Sequence, residues 1–455
     1  MALRFVVVGA GPAGTSGAST AAKLGADVTL VEREVVGGAA HLWDCIPSKT
    51  MIAIGEALSA ARRAEALGLD LGGEPRVNLT EISDRVRAVE ERLHEDKLRL
   101  LRSQAVRIID GTARFADDHT VVIEGDGVDD EELPFDAVLV STGSRPRLPP
   151  WAHVDGERIL STRQSYPPPE LPTRLVVVGS GVTGVEFTHM FTALGAEVTL
   201  LVSRQQVLPG KDPEVAAALE DDFLRRGVSL LKGARADGAE RTPSGVRVHC
   251  EDGRVVEGSH CIVCIGSVPN TDGLALDRAG VKTGDAGHIP VNHHCQSNQG
   301  HIYAAGDVAG TLPLSSVAHV QGRKVAEHVM GLHTRDHRHL DYDKAASAIF
   351  TEPEIADVGL AEAEAFAEGR KVRTTKVPFS SNAKALITGD PRGFVKILSD
   401  PITGIVLGGS VVGYRAAELI SVVALAVTAR LGVGDLVETI LVHPALAESL
   451  SDAAE

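Results

Sequence analysis

The chain has 455 residues, 44% of them hydrophobic and 23% charged, which is typical of a globular protein and long enough for about three domains. Its formal net charge of −16 argues against nucleic acid or an anionic membrane surface as the main partner. No apolar run is long enough for a transmembrane helix, the first residues predict a strand rather than a signal peptide, and the cysteine count is odd. We therefore predict a cytoplasmic protein without membrane insertion.

A glycine-rich turn follows the first predicted strand. Residues 4–14 read Arg-Phe-Val-Val-Val-Gly-Ala-Gly-Pro-Ala-Gly, a β-branched strand that runs into a turn and then a helix. The first glycine allows the tight turn, the second lets the backbone approach a pyrophosphate, and the third lets the helix pack close to the sheet. The phosphates would lie at the helix N-terminus, where free N–H groups favour negative charge. The predicted binding residues are Gly9, Gly11, Pro12, Ala13 and Gly14.

The second strand of this unit ends at Glu32, and an acid there can bind the two hydroxyls of an unphosphorylated ribose, as in FAD or NAD. The whole unit then recurs. Residues 174–184 read Arg-Leu-Val-Val-Val-Gly-Ser-Gly-Val-Thr-Gly, and Leu-Gly-Ala-Asp-Val-Thr-Leu at residues 24–30 returns as Leu-Gly-Ala-Glu-Val-Thr-Leu at residues 194–200. Two such copies indicate two dinucleotides between which electrons pass. The binding residues predicted for the second copy are Gly179, Gly181, Val182, Thr183 and Gly184.

Residues 37–49 read Gly-Gly-Ala-Ala-His-Leu-Trp-Asp-Cys-Ile-Pro-Ser-Lys. This stretch resembles the redox segment of the flavoprotein disulfide reductases, such as dihydrolipoamide dehydrogenase, glutathione reductase and mercuric reductase. The family pattern is Gly-Gly-Thr-Cys-x-x-x-x-Cys-Ile-Pro-Ser-Lys. The resemblance implies that Gly38 and Ala39 contact the cofactor. It also implies that Lys49 lies near the reactive nitrogen of the flavin and pairs with Glu186 of the second repeat.

The redox segment departs from the family at one position, because Ala40 stands where the family has its first cysteine and Cys45 stands at the second. Without a thiol at position 40, Cys45 cannot form the internal disulfide, which disfavours lipoamide, glutathione and trypanothione disulfides as substrates. Cys45 stays open to two interpretations. It is either a reactive group over the flavin, as a thiolate or a sulfenic acid formed by peroxide, or a thiol that only shapes the flavin pocket. Trp43 is predicted to stack on a planar acceptor.

Three later segments resemble the FAD-binding motifs of the same family. Residues 111–115 form a short strand whose backbone would meet the adenine, and residues 136–144 form a buried strand that ends in a Thr-Gly turn. Residues 302–307 form a strand that ends in Gly-Asp, whose aspartate would accept hydrogen bonds from ribityl hydroxyls. Together they imply FAD at the first site. The implied contacts are Ala113, Thr142, Gly143, Gly306, Asp307, Leu314, Ser315 and Ser316.

The second repeat lacks the ribose-binding acid. Val202 occupies the position of Glu32 and is followed by Ser203 and Arg204, which could pair with a 2′-phosphate, with Lys211 nearby. The resemblance therefore favours NADPH over NADH, and use of both stays open.

The end of the second dinucleotide-binding region contains a Cys-x-x-Cys pair and a turn. Cys261 and Cys264 lie in a run that predicts a buried strand, and no second Cys or His pair follows at zinc spacing, so we predict no metal site in the chain. Gly266 begins the turn that, in the family, returns the chain to the FAD-binding domain.

From about residue 342 the sequence predicts antiparallel strands and then two helices, 415–429 and 433–441. This arrangement resembles the dimerisation domain of the family and implies a homodimer. Residues 443–448 read His-Pro-Ala-Leu-Ala-Glu, the spacing of the family's acid–base pair. The resemblance implies that His443 reaches the redox site of the partner subunit and that Glu448 fixes its tautomer and orientation.

The predicted fold is α/β, with two Rossmann-like dinucleotide-binding domains and a C-terminal α+β dimerisation domain. The first part of the FAD-binding domain is predicted at residues 1–148, the NAD(P)-binding domain at 149–270, the second part of the FAD-binding domain at 271–338 and the dimerisation domain at 339–455.

The predicted function is FAD-dependent transfer of a hydride from NADPH or NADH to a quinone or similar small acceptor, without an internal disulfide. The predicted catalytic residues are His443, Glu448, Cys45, Lys49 and Glu186. Three alternatives stay open: a single-cysteine peroxidase or oxidase that uses Cys45, a protein like dihydrolipoamide dehydrogenase with altered chemistry, and a flavin-binding subunit without turnover.

Overall fold

The computed structural model of the chain describes residues 2–73, 75–125, 128–332 and 340–455. The chain divides into two compact units, here called the first unit and the second unit. The first unit contains Met1–Ser48, Ser83–Arg147 and Gly266–Tyr342, and the second contains Lys49–Ile82, Leu148–Ile265 and Asp343–Glu455. The predicted domain limits stay a prediction, and the limit between residues 338 and 339 lies outside the described residues.

The strands follow one another in chain order as β1 Arg4–Val8, β2 Asp27–Glu32, β3 Arg107–Asp110, β4 Thr112–Phe115, β5 Thr120–Gly125, β6 Val128–Pro134, β7 Ala137–Val140, β8 Ser144–Pro146, β9 Ile159–Ser161, β10 Arg174–Val178, β11 Glu197–Val202, β12 Ser229–Lys232, β13 Ala236–Thr242, β14 Gly245–Cys250, β15 Val255–Gly258, β16 His260–Val263, β17 Ser267–Pro269, β18 Ile302–Ala304, β19 Ser347–Ile349, β20 Ile355–Gly359, β21 Arg373–Pro378, β22 Phe394–Ser399 and β23 Val406–Val412. The α-helices are α1 Pro12–Lys23, α2 Ala39–Leu42, α3 Cys45–Arg62, α4 Leu79–Ser103, α5 Val182–Ala193, α6 Pro213–Arg225, α7 Ser315–Val329, α8 Glu362–Ala367, α9 Ala383–Thr388, α10 Ala416–Ala429, α11 Val433–Val437 and α12 Glu448–Asp452.

The first unit is built on a five-stranded parallel sheet with the order β18-β7-β1-β2-β3. Phe5 and Val7 of the central strand face a core with α1 and α7, and Val6 and Val8 face a core with β4 and β5. A strand buried on both faces needs apolar residues at every position, which explains the continuous run of apolar residues in β1.

The carboxyl ends of the strands in the first sheet collect the predicted FAD-binding motifs. The glycine turn follows β1, Glu32 ends β2, the Thr-Gly turn comes just after β7, and Gly306-Asp307 comes just after β18. These four strands are parallel neighbours, so their ends meet at one edge of the sheet, where open α/β sheets bind their ligands.

The second unit contains a similar parallel sheet with the order β12-β11-β10-β16-β9. Arg174 pairs with Glu197 in its register, as Arg4 pairs with Asp27 in the first sheet. The sequence repeat is therefore a structural repeat. A three-stranded antiparallel sheet, β13-β14-β15, packs against it through a shared core.

The C-terminal part of the second unit is an antiparallel sheet with the order β19-β20-β23-β22-β21, covered by α10. The helix predicted at 433–441 is shorter than expected and ends at Val437. The hydroxyl of Thr439 donates a hydrogen bond to the Asp435 carbonyl. Ile440 is 99% exposed in the part of the chain that the structure describes, so burial of this side chain does not favour a longer helix. No helix within the described ranges combines the length and hydropathy that crossing a bilayer requires.

Candidate active site

The first glycine turn contains two glycines that the packing of the polypeptide requires and one that it does not. Gly9 has φ +98°, and a Cβ there would lie 2.6 Å from the Ser141 carbonyl oxygen. A Cβ on Gly14 would overlap the carbonyl oxygen of Gly9. Gly11 differs, because its φ is −65° and the nearest atom to a Cβ would be 3.9 Å away. Alanine would therefore fit the polypeptide at position 11, and the absence of a side chain there fits the close approach of a cofactor.

The remaining phosphate-side residues lie at the start of α1, where Pro12 and Ala13 are the first two residues. Pro12 occupies a position at which the missing N–H is not needed. Glu32 is fixed beside this turn, since its carboxylate accepts hydrogen bonds from the backbone N–H groups of Ala10 at 2.7 Å and of Arg33 and Glu34 at 3.0 Å. Burial raises the pKa of Glu32 in spite of these bonds.

The ribityl side of the predicted site is held by polar contacts within the first unit. Ser144 donates a hydrogen bond to the Asp307 carboxylate at 2.7 Å, and Thr142 donates one to the Asn270 carbonyl at 2.7 Å. Gly143 and Gly306 have positive φ values of +68° and +76°. Sequence reasoning did not single out Ser144 and Asn270, although Ser144 directly follows the Thr-Gly motif and could have been found from it. Of the other residues predicted to bind a cofactor, Ala113 is buried in β4, and Gly266 has φ +101° just before β17.

The redox segment approaches the glycine turn. Gly38 has φ +63°, and a Cβ there would lie 2.8 Å from Gly11 Cα, so only glycine fits this approach. Ala39 begins α2, and Cys45 begins α3. The Cys45 sulfur is 3.3 Å from the hydroxyl oxygen of Ser315. Ser315 was predicted as a cofactor contact, but its proximity to Cys45, 270 positions away, could not be seen in the sequence.

Ser315 begins α7, with Leu314 at its N-cap and the exposed Ser316 as its second residue. The other polar group of the redox segment is His41, whose Nδ1 is buried and has no hydrogen-bond partner in the part of the chain that the structure describes. Burial lowers the pKa of His41 to about 4, with smaller contributions from Lys97 and His94. At neutral pH this imidazole is therefore uncharged.

The second glycine turn repeats the distinction seen in the first. Side chains at Gly179 and Gly184 would overlap the backbone oxygens of Cys264 and Gly179. A Cβ on Gly181 would have no atom of the described residues within 4 Å, apart from its chain neighbours. Val182 and Thr183 begin α5, and Val182 is 44% exposed. The residues present therefore fit a second dinucleotide, with open space in front of the middle glycine.

At the end of β11, which is predicted to meet the 2′-phosphate of NADPH, one of the two cations suggested by the sequence is held elsewhere. Val202 is buried, whereas Ser203 and Arg204 are exposed. Lys211 is not available beside Arg204 as a second cation, because its ammonium lies 2.7 Å from Asp357 and 2.8 Å from Ser347. Arg204 is thus the cation on which the predicted preference for NADPH depends.

The Cys-x-x-Cys pair lies in the core of the second unit, with Cys261 in β16 and Cys264 just after it. Burial raises the pKa of Cys261 to about 12 and raises that of Cys264 as well. Both groups are protonated thiols at neutral pH, which agrees with the predicted structural role.

The predicted ion pair of Lys49 and Glu186 is present in the second unit, with 2.8 Å between Lys49 Nζ and Glu186 Oε2. Glu186 is nearly buried, and its other oxygen accepts a hydrogen bond from the Phe350 backbone at 3.0 Å. The Lys49 ammonium also lies 4.9 Å from the centre of the Phe350 ring. These contacts fix the ammonium group in position.

The predicted acid–base pair is also formed. His443 Nδ1 lies 2.7 Å from Glu448 Oε1, and the second oxygen of Glu448 accepts a hydrogen bond from the Ala445 backbone at 2.8 Å. The hydrogen bond from the Ala445 backbone lowers the pKa of Glu448 most, and the hydrogen bond with His443 lowers it further. The imidazole of His443 is 73% exposed, so its other nitrogen, Nε2, is accessible to a group outside this chain.

Comparison with known proteins decides the family. The pyridine nucleotide-disulphide oxidoreductases match residues 3–322, and the dimerisation domain of the same family matches residues 345–454. The chain belongs to this family. It is an NAD(P)H-dependent flavoprotein oxidoreductase with a C-terminal dimerisation domain, and members of the family use FAD and NAD(P)H. The predicted family, fold class and enzyme class are confirmed.

The relatives of this oxidoreductase are named for two different activities. An NAD(P)H dehydrogenase (quinone) of Mycobacterium tuberculosis is 41% identical over 464 residues, covering 100% of this chain and 94% of the relative. Dihydrolipoyl dehydrogenase 2 of Haloarcula marismortui is 36% identical, covering 99% and 95%. The crystal structure of LpdA from Mycobacterium tuberculosis has a TM-score of 0.95 at 40% identity, covering 99% of each chain.

Proposed function

We propose that this chain is a homodimeric, cytoplasmic NAD(P)H dehydrogenase that reduces a quinone or a similar small acceptor without an internal disulfide. The observation that carries the proposal is Ala40, which replaces the first cysteine of the family's redox pair. In the structure, the sulfur of Cys45 lies beside the hydroxyl group of Ser315. The name of the Mycobacterium tuberculosis relative, at 41% identity, supports the same acceptor class.

The overall reaction balances without a thiol relay. NAD(P)H and one proton give two electrons and two protons to the quinone, which leaves as the hydroquinone. Bound FAD supplies the two-electron chemistry between the nicotinamide and the acceptor. The residues proposed to hold it are those of the first glycine turn, Glu32, the Thr-Gly turn and Asp307.

The charged side chains have separate proposed roles. Lys49, held by Glu186, provides a fixed positive charge where negative charge develops during reduction. The partner subunit's His443 provides a proton to the acceptor. Its imidazole is oriented by a hydrogen bond to Glu448, as in this chain. Glu448 Oε1 accepts a hydrogen bond from His443 Nδ1, so Nε2 is the histidine nitrogen that exchanges the proton with the acceptor.

An anaerobic titration tests the acceptor. NADPH should bleach the flavin absorbance of the purified protein, menadione should restore it, and lipoamide should not. Recovery with lipoamide would show disulfide chemistry and overturn the proposal. A flavin that NADPH and NADH both fail to bleach would instead indicate a flavin-binding subunit without turnover.

Replacing Cys45 by serine separates quinone reduction from a peroxidase that uses this thiol. If the acceptor takes electrons without a thiol relay, Cys45→Ser should keep menadione reduction within about threefold of the unmodified protein, a change of under about 0.7 kcal/mol in the barrier. Peroxide-dependent oxidation of NADPH that is present in the unmodified protein and abolished in Cys45→Ser would favour the peroxidase.

The choice between NADPH and NADH depends on Arg204. Arg204→Ala should raise the KM for NADPH about tenfold and leave that for NADH unchanged, because a charged hydrogen bond to the 2′-phosphate is lost. Lys211→Ala is the matched control, since this lysine pairs with Asp357 instead and its loss should not change the ratio of the two KM values. Equal ratios in the Arg204→Ala variant and the unmodified protein would contradict the assignment.

A further inference from the structure

Three metal-binding side chains meet in the first unit at the edge opposite the cofactor motifs. Asp118 and His119 lie in the turn between β4 and β5, and His301 directly precedes β18. One potential ligand atom of each lies within 4.8 Å of the other two. Asp118 and His119 are exposed and His301 is half-buried, so an ion in solution can reach all three.

The backbone holds these residues in place. The Phe135 N–H donates to the His119 carbonyl at 2.9 Å, and the Val138 N–H donates to the His301 carbonyl at 3.0 Å. The turn itself is fixed by a hydrogen bond of 2.8 Å from the His119 N–H to the Asp117 carboxylate. Two segments that are 183 positions apart are thus brought together before any ion binds.

The hydrogen bonding of the histidines resembles that of metal ligands. His301 Nε2 lies 2.6 Å from the Asp118 backbone oxygen, which can only accept, so Nε2 carries the proton and Nδ1 keeps its lone pair. A ligating histidine commonly donates its second N–H to a backbone carbonyl in this way. His119 Nδ1 lies 3.2 Å from the Asp118 carboxylate, so this imidazole and this carboxylate already lie side by side.

We propose that Asp118, His119 and His301 form a binding site for a divalent transition-metal ion that prefers imidazole and carboxylate ligands, such as Zn²⁺. Two imidazoles and one carboxylate leave a coordination position for water. The two rings are stacked with their centroids 4.3 Å apart, and χ2 of histidine is a broad torsion, so the exposed His119 ring can turn toward the ion while His301 keeps its hydrogen bond. The bound ion would clamp the β4–β5 hairpin to the start of β18.

The prediction that the chain has no metal site depended on close spacings of cysteine and histidine. This cluster joins two distant segments, and only the fold brings them together.

Calorimetric titration of Zn²⁺ into the FAD-bound protein tests the site. The unmodified protein should bind one Zn²⁺ more than about tenfold more tightly than His119→Ala or His301→Ala, since each variant removes one ligand. His153→Ala is the control, because it removes an exposed histidine elsewhere in the chain and should leave this isotherm unchanged. Circular dichroism of each variant checks that it is folded.

A thermal measurement gives a second, independent readout. Zn²⁺ should raise the Tm of the unmodified protein and of His153→Ala but not that of His119→Ala, which lacks one of the three ligands. Identical isotherms and Tm shifts in the unmodified protein and His119→Ala would overturn the proposal. So would an equal loss of affinity in His153→Ala, which would show that Zn²⁺ binds histidines of the surface without preference.

Discussion

Gly181→Ala is expected to weaken the binding of NADPH by about tenfold or more, which is about 1.4 kcal/mol, while FAD content and Tm stay unchanged. Gly181 has φ −74°, a value that alanine adopts without strain, and a Cβ there would meet no atom within 4 Å among the residues that the structure describes, its chain neighbours aside. The added methyl group would therefore occupy only the space proposed for the pyrophosphate. Quenching of protein fluorescence by NADPH, or the KM for NADPH, measures the effect.

The matched control is the third glycine of the same turn. In Gly184→Ala the Cβ would overlap the Gly179 carbonyl oxygen, so this variant should lose stability as well as nucleotide binding. Gly11→Ala is the equivalent change at the first site and should lower FAD retention in a folded protein. Unchanged affinity for NADPH in a folded Gly181→Ala variant would show that the nucleotide does not approach this turn.

Lys49→Met is expected to slow the bleaching of the flavin by NADPH about 100-fold, because it removes a fixed positive charge from the proposed site. It should also lower the free energy of unfolding by about 2 kcal/mol, since it leaves the nearly buried carboxylate of Glu186 without its ion pair. This cost is below that of a fully buried pair because the Lys49 side chain is 33% exposed. Stopped-flow absorbance measures the rate, and denaturant unfolding measures the stability.

The double variant Lys49→Met/Glu186→Gln separates the two effects. Neutralising Glu186 removes the unpaired buried charge, so the double variant should regain most of the lost stability and still bleach slowly. A single Lys49→Met variant that bleaches at the normal rate would show that this lysine serves folding alone.

Local patterns predicted the parts of the fold that depend on short stretches of sequence. The run Arg-Phe-Val-Val-Val before the first glycine turn and its repeat at residues 174–178 indicate buried parallel strands. Both strands are present, and each pairs with the second strand of its own repeat in the same register. Helix α11 was predicted to extend to residue 441, but it ends at Val437, and the apolar Ile440 that follows it is 99% exposed.

The contacts between distant residues required either the family resemblance or the structure. The pairing of Lys49 with Glu186 was predicted only because the surrounding motifs resemble a family in which it occurs. The proximity of Cys45 to Ser315 and the ion pair of Lys211 with Asp357 have no local signal, because they depend on how separate strands and helices pack. Sequence spacing carries no information on such pairs.

The segment between α11 and α12 has a consequence for enzyme concentration. Ile440 is 99% exposed and Val442 is 76% exposed, and they lie three positions and one position before the proposed proton donor His443. Two apolar side chains left open to water in a chain that has a dimerisation domain are expected to be covered when two copies associate. Specific activity should then decline on dilution, because dissociation would separate each site from the partner's His443, its proposed proton donor.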